Sequence, residues 1–192
     1  MRVTRQMVIQ LAIFSLLAAV GLTVVAAAAL ADRGHGNGNG NRFSAKLTGF
    51  QETPSESTPG HGSFRANLTN DGTVIHYRLK YDDFEAAEGA TLFAHIHFGQ
   101  VGVAGGVSAF LCGGGDKPPC TPLEGDISGD IDAADVIGPA GQGIAAGEMN
   151  ELIRAMRTGY TYANVHTTLN GPGLVRGQIQ RGHGHDRGKG RG

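Results

Sequence analysis

The chain has 192 residues, and its 16 Lys and Arg against 17 Asp and Glu give a formal net charge of −1 at pH 7. This length fits one ordinary domain, and the balanced charge excludes the strongly basic type of nucleic-acid-binding protein. Abundant glycine, 32 residues in all, favours many turns between short segments.

Residues 1–31 are predicted to be an export signal. Arg2 and Arg5 precede a long apolar run that ends in Ala-Leu-Ala at residues 29–31. A basic start, an apolar core and a small-x-small end are typical of a secretory signal peptide. The run is also long enough to cross a bilayer, so an uncleaved anchor remains the alternative. We therefore expect a secreted, periplasmic or cell-surface protein that meets a membrane only if this segment is retained.

Two low-complexity segments flank the remaining chain. Residues 32–42 are rich in Gly, His and Asn, and residues 181–192 are rich in Gly, His and Arg. Neither contains enough apolar side chains to offset the entropy lost on ordering. Both are predicted to be disordered, which leaves residues 43–180 as the folded domain.

Short stretches of alternating apolar and polar residues fill this domain. Such alternation predicts β-strands with one buried face. The sequence Asn70-Asp71-Gly72 predicts a tight turn between the second and third stretches, because Asp-Gly readily supplies a positive φ. The predicted strands cover residues 43–50, 63–69, 73–80, 91–98, 107–111, 160–168 and 174–180.

One segment has helical periodicity instead. The apolar residues Met149, Leu152, Ile153 and Met156 recur at the spacing of one helix face, and Gly159 follows as a stop. These residues predict a short amphipathic helix over residues 148–158. The fold class is therefore all-β, an antiparallel Greek-key-like sandwich or barrel with one helix near the C-terminus.

The two cysteines, Cys112 and Cys120, bracket a Gly- and Pro-rich segment. An even number of cysteines in an exported chain favours a disulfide. Metal binding by this pair is less favoured, because the spacing is not CxxC and no His lies nearby. An EF-hand around Asp126 is excluded, since Ile131 and Ile137 stand where that loop requires Gly and Glu.

Four segments, in this order, resemble the CHRD (chordin) domain family: LTGFQETP at 47–54, AHIH at 94–97, NVHT at 164–167 and RGQI at 176–179. The most specific part is the helix followed by GYTYANVHT, a Gly/Pro turn and VRGQI. The resemblance covers about residues 43–180. It implies an exported antiparallel β domain, of the kind found alone in bacterial proteins, and it implies no agreed enzymatic reaction. The chain departs from the plainer bacterial pattern after residue 97 and in the loop between the cysteines.

Three histidines form the candidate metal site. His95 and His97 are two apart on one predicted strand, so their side chains point the same way. His166 shares the polar face of a later strand with Asn164. Three imidazoles on one sheet face suit copper or zinc. A His-x-His strand with a distant third histidine also resembles the copper site of copper–zinc superoxide dismutases, although the full ligand set of those enzymes is missing.

Asn164 and Arg176 are predicted to support this site. If the last hairpin is symmetric about Gly171, Arg176 lies opposite His166. The alternative is that the histidines and Arg176 only anchor loops and strands.

Two functions follow from the sequence. The first is a non-enzymatic binding or interaction domain with an unidentified protein or surface partner and no nucleic acid. The second is a copper-type metal-binding protein that uses His95, His97 and His166, with redox activity as an extension. No catalytic residue is assigned, and one copper or zinc ion is the only cofactor considered.

Overall fold

The computed structural model describes residues 38–182, so the predicted signal segment and most of the two predicted disordered segments lie outside them. Nine strands and one α-helix make up the domain, with short 3₁₀ turns between them. The helix, α1, is Met149–Arg157. The strands are β1 (Arg42–Thr48), β2 (His61–Leu68), β3 (Ile75–Asp82), β4 (Thr91–Phe98), β5 (Gly106–Cys112), β6 (Gly125–Ile131), β7 (Thr161–Thr167), β8 (Val175–Gln178) and β9 (Gln180–Arg181).

All strand pairs are antiparallel and belong to one sheet, in the order β5-β4-β7-β8-β1-β2-β3-β6, with β9 also paired to β1. The sheet curls into a nearly closed barrel. Its two edges approach each other where the amide of Ile137, just after β6, donates to the carbonyl of Ser108 in β5 at 2.9 Å. The predicted all-β antiparallel fold is confirmed, in its barrel form.

The barrel interior is the hydrophobic core. Strand β3 shows the expected pattern, with Ile75, Tyr77, Leu79 and Tyr81 buried and the residues between them exposed. Strand β7 differs, because all seven of its residues are buried. The outer face of β7 is therefore covered by other parts of the chain, and this covered face carries the candidate site.

Helix α1 buries the four apolar residues that predicted it, among them Leu152 and Met156 at 0 % exposure. The next residue after its C-cap, Gly159, has φ +78°, the conformation in which glycine ends helices. The helix prediction is confirmed to within one residue at each end. None of the helices in residues 38–182 has the length and apolar character that a membrane span requires.

Strand β6 is not among the strands predicted from the sequence. It buries Ile127 and Ile131 and places its two aspartates on the outer face. There Asp126 contacts Arg78 and Lys80, and Asp130 contacts His76. The two aspartates thus contact side chains of the neighbouring strand β3 and do not belong to a calcium loop.

The ends of the domain extend slightly beyond the predicted limits. Arg42 begins β1, and Arg181 lies in β9, where the amide of Gly182 donates to the carbonyl of Arg42 at 2.8 Å. The predicted last strand is divided at Ile179. Strand β8 pairs with both β7 and β1, whereas β9 pairs with β1. The sulfur atoms of Cys112 and Cys120 lie at disulfide distance, with Cα atoms 5.1 Å apart, as the even number of cysteines predicts.

Candidate metal centre

The three histidines project from β4 and β7, which are neighbours in the sheet. In the register of this pair, His95 is opposite Asn164, His97 is opposite Tyr162, and His166 is opposite Phe93. Because all of these residues belong to the same face, the three rings meet outside the barrel. Their centroids are 4.9 to 5.5 Å apart, and one nitrogen from each ring lies within 4.8 Å of the others.

Backbone carbonyls orient two of the imidazoles. The Nδ1 atom of His97 is 3.0 Å from the carbonyl oxygen of Gly105, and Nδ1 of His166 is 2.9 Å from that of Gly171. A carbonyl only accepts, so each Nδ1 carries the hydrogen and each Nε2 is left with a free lone pair. The two Nε2 atoms then face each other at 3.4 Å. Two lone pairs cannot form a hydrogen bond, whereas a cation between them would bind both.

His95 completes the group from the other side. Its ring packs against the rings of Phe110 and Phe93, with centroid distances of 4.5 and 5.8 Å. Its Nδ1 atom is buried and has no hydrogen-bond partner among the described residues. A buried nitrogen without a partner is costly in a folded protein. This cost would be removed if Nδ1 bound a metal ion together with the other two histidines.

The surroundings keep all three imidazoles neutral. Burial is the largest cause and lowers the pKa of His95 to about 3 and that of His97 to about 4, with the neighbouring imidazoles adding to the effect. Burial also lowers the pKa of His166, although its bond to the Gly171 carbonyl opposes the shift. At neutral pH the nitrogens are therefore unprotonated, which is the state that binds metal ions.

Tyr162 and Arg176 support the ring of His97 from behind. The ring of Tyr162 stacks on that of His97 with centroids 4.8 Å apart and planes 5° from parallel. On its other side, the guanidinium carbon of Arg176 lies 3.4 Å from the Tyr162 centroid, a cation–π contact. The position of His97 is thus fixed by a stack of three side chains from three adjacent strands.

Arg176 also fixes two loops over the site. Its Nη2 donates to the carbonyls of Gln100 and Val103, at 2.9 and 3.1 Å, and its Nη1 is 3.4 Å from Oγ1 of Thr53. The side chain is 2 % exposed. Its predicted position opposite His166 is corrected, because Arg176 pairs with Asn164 instead. The shift is two residues, so Arg176 remains on the predicted face.

Glu52 is a functional candidate that the sequence did not single out, although it lies in the LTGFQETP segment. Its carboxyl is buried next to Asn164 and Arg176, and burial raises its pKa to about 7 despite the opposing charge of Arg176. A buried carboxyl near an arginine, in a loop of mostly exposed residues, could be found only from the fold.

We expect the metal-free protein to lose stability as the pH falls from 6.5 to 4.5. In the unfolded chain the histidines bind protons below pH 6.5, while the folded state keeps His95 and His97 neutral, so acid favours unfolding. Glu52 has the opposite effect between pH 4.5 and about 7, because its folded form holds the proton. His95 and His97 against one carboxyl leave a net loss of about 1.4 kcal/mol per pH unit. The lowered pKa of His166 adds to this loss.

Urea unfolding with chelator present, at pH 6.5 and 5.0, measures this loss. A free energy of unfolding that stays constant or rises towards pH 5.0 would contradict neutral buried imidazoles. His95→Phe should reduce the pH slope, because it removes one of the groups that titrate only on unfolding.

The structure thus defines a small β-barrel domain with a buried three-histidine group on its outer face, covered by loops. A family model of the CHRD domain matches residues 43–179, and the chain belongs to the CHRD domain family. All three histidines and Glu52 lie within the matched part. Neither a curated protein nor a solved structure matches this chain.

Proposed function

We propose that this domain binds one transition-metal ion through His95, His97 and His166, and that the ion is copper. The observation that carries the proposal is the pair of Nε2 atoms of His97 and His166, which face each other at 3.4 Å with both Nδ1 atoms bound to carbonyls. An arrangement of opposed lone pairs is unfavourable without a cation. The buried Nδ1 of His95, which has no hydrogen-bond partner among residues 38–182, supplies the third ligand.

The distances fit one shared ion. Imidazole nitrogens lie about 2.0–2.1 Å from a bound metal, so two ligands at trigonal or tetrahedral angles are roughly 3.3–3.6 Å apart. The observed 3.4 Å between the two Nε2 atoms falls in this range. The larger separations within the group, up to 4.8 Å, would close by on the order of 1 Å through ring rotation about side-chain torsions.

Copper is favoured by the type of ligand. The site offers three neutral imidazoles, a type of ligand that suits copper. Zinc is the alternative and commonly takes three histidines with water as a fourth ligand. The resemblance of the His-x-His strand to the copper site of superoxide dismutases also favours copper. We propose metal binding and no enzymatic reaction.

An exported location agrees with this proposal. The basic and apolar N-terminal segment is typical of a signal peptide, and the cysteine pair at disulfide distance suits an oxidising compartment. We therefore propose that the protein is secreted, periplasmic or at the cell surface. N-terminal sequencing of protein isolated from such a fraction would distinguish the two forms of the segment. A chain that begins at residue 32 has lost a cleaved signal peptide, whereas a chain that keeps residues 1–31 retains them as an anchor.

A role as an interaction domain is the second candidate, and family membership supports it. The loops around the site expose three apolar side chains, Phe50, Val101 and Leu169, each at least 69 % exposed. Large exposed apolar side chains are often found at contact surfaces. Such a role is compatible with metal binding, and a partner that binds equally well to metal-free protein would separate the two functions.

Metal titration of the full chain tests the proposal. After chelator treatment, the protein is titrated anaerobically with Cu(I) in competition with a chromophoric chelator, and separately with Zn²⁺. We expect one Cu(I) per chain with a sub-micromolar Kd, and X-ray absorption that fits nitrogen ligands at about 2.0 Å. Binding weaker than millimolar for both metals would overturn the proposal, and tight binding of zinc alone would overturn the choice of copper.

A further inference from the structure

Two buried oxygens beside the metal centre have no hydrogen-bond partner among residues 38–182. They are Oε1 of Glu52 and Oδ1 of Asn164, in side chains of residues that are 7 % and 3 % exposed. Both flank Gly173: a Cβ atom at that position would lie 2.6 Å from Oε1 of Glu52 and 2.4 Å from Oδ1 of Asn164. The two oxygens therefore share one small space where Gly173 has no side chain.

A proton on Glu52 resolves this arrangement. An ionised carboxylate and an amide oxygen are both acceptors and cannot bond to each other. Exchanging the amide oxygen and nitrogen of Asn164 would give Glu52 a donor, but it would lose the present 3.3 Å bond from Nδ2 to the Pro172 carbonyl and set two oxygens against each other. A carboxyl O–H can donate to Oδ1 of Asn164 and leave the Pro172 bond in place.

Glu52 is also close enough to sense a charge at the metal centre. Across the sheet, His95 is opposite Asn164, and Asn164 is opposite Arg176, so these residues form one row over β4, β7 and β8. Neighbouring strands are about 4.8 Å apart. Because Glu52 contacts the middle of this row, its carboxyl lies on the order of 10 Å from a cation held by the histidines.

The titratable and charged groups that face Glu52 are few and come from three directions. Arg176 on β8 favours the ionised carboxylate, and Glu56 in the same loop disfavours it. Hydrogen bonds from the Thr53 backbone and the Asn164 side chain also favour the ionised form. The imidazoles of β4 and β7 are neutral and add no charge until a metal binds. With metal present, the added positive charge and Arg176 act in the same direction, towards loss of the proton.

We propose that Glu52 is the proton-exchanging partner of the three-histidine centre: its carboxyl holds a proton while the centre is empty and releases it when a cation binds. The O–H bond of the carboxyl breaks, its electron pair stays on the carboxylate beside Arg176, and the proton passes to the solvent. Glu52 is a positioning and charge-balancing residue here and is not a metal ligand. The inference rests on the proposed metal binding.

The expected amount of proton release follows from the distance. A unit charge about 10 Å away, in an effective dielectric of 20, weakens proton binding by on the order of 10-fold. Burial raises the pKa of Glu52 to about 7 in the metal-free protein. About half a proton per bound Cu(I) should then be released at pH 6.5, and less than about 0.1 at pH 8, where Glu52 has already ionised.

The experiment is a pH-stat titration of the full chain with Cu(I) under argon at pH 6.5 and 8. Glu52→Gln keeps the shape and neutrality of the side chain and is expected to release almost no proton at either pH. Glu56→Gln removes a less buried carboxyl from the same loop and should behave as wild type. The inference would be overturned if Glu52→Gln released as many protons as wild type. It would also be overturned if wild type released as many protons at pH 8 as at pH 6.5.

Infrared spectroscopy makes the result independent of whether the variant folds. The metal-free wild-type protein at pH 6 should show the C=O band of a protonated buried carboxyl, and this band should decrease when Cu(I) is added. If wild type binds no metal, the proposed function fails together with this inference. If wild type binds Cu(I) but the carboxyl band does not change, only the inference about Glu52 fails.

Discussion

Replacing His95 and His97 together by alanine is expected to weaken Cu(I) binding by roughly 1000-fold or more. Loss of a group that merely orients a ligand costs 10–100-fold in metal affinity, and this change removes two of three ligands. The remaining imidazole, His166, would bind copper no better than an ordinary surface histidine. His166→Ala should have a smaller effect, since His95 and His97 remain side by side on β4. Competition with a chromophoric Cu(I) chelator measures all three affinities.

The matched control is His61→Ala/His76→Ala, which removes two histidines from β2 and β3, outside the site. Their side chains are 55 % exposed and lie beside Asp83 and Asp130. This variant should bind Cu(I) with the wild-type affinity. Equal losses of Cu(I) affinity in the two double variants would show that copper binds adventitiously to any histidine of the chain. A His95→Ala/His97→Ala protein that keeps full affinity would exclude the three-histidine site altogether.

The overall fold could be predicted because strands such as β3 bury one face and expose the other. Strand β3 alternates without error from Ile75 to Asp82, and the helix has the spacing of a single buried stripe. Strand β6 is harder to predict, because only Ile127 and Ile131 are buried on it and its other residues are Gly, Ser and Asp. Those residues are stable in a strand only through pairing with β3, which local sequence does not reveal.

The metal centre could be predicted only in part. Alternation alone places His95 and His97 on one face, and the same rule places His166 and Asn164 together. That the two faces coincide depends on β4 and β7 being neighbours, although 62 residues separate Phe98 from Thr161. This pairing is a property of the whole sheet. The resemblance to a known family therefore supplied information that alternation did not contain.

The register of the last hairpin shows a different limit. Symmetry about Gly171 would place Arg176 opposite His166, whereas the observed pairs are Val165 with Val175 and Asn164 with Arg176. The turn is centred on Asn170, whose carbonyl accepts from the amide of Gly173. Because the shift is two residues, each side chain keeps its face. The stack on Tyr162 follows from this register, and so does the position of Arg176 near enough to Glu52 for its charge to lower the pKa of that carboxyl.

Arg176→Ala is expected to lower the free energy of unfolding by about 3–4 kcal/mol, the largest loss from any single change considered. The guanidinium is buried, lies against Tyr162, and donates to the carbonyls of Gln100 and Val103. Removing a buried charged donor leaves these carbonyls without partners, and losses of several kcal/mol are typical for such changes. Urea unfolding of metal-free protein measures the effect.

Two further variants separate the geometry of Arg176 from its charge. Arg176→Lys keeps the charge. Its ammonium group cannot bond two carbonyls and stack on an aromatic ring at the same time, as the planar guanidinium does. We therefore expect about half of the loss in unfolding free energy that Arg176→Ala causes. Arg78→Ala removes an exposed arginine that pairs with Asp126 on β6 and should cost less than about 1 kcal/mol. If Arg176→Ala costs no more than Arg78→Ala, the two loops are held over the histidines by other contacts.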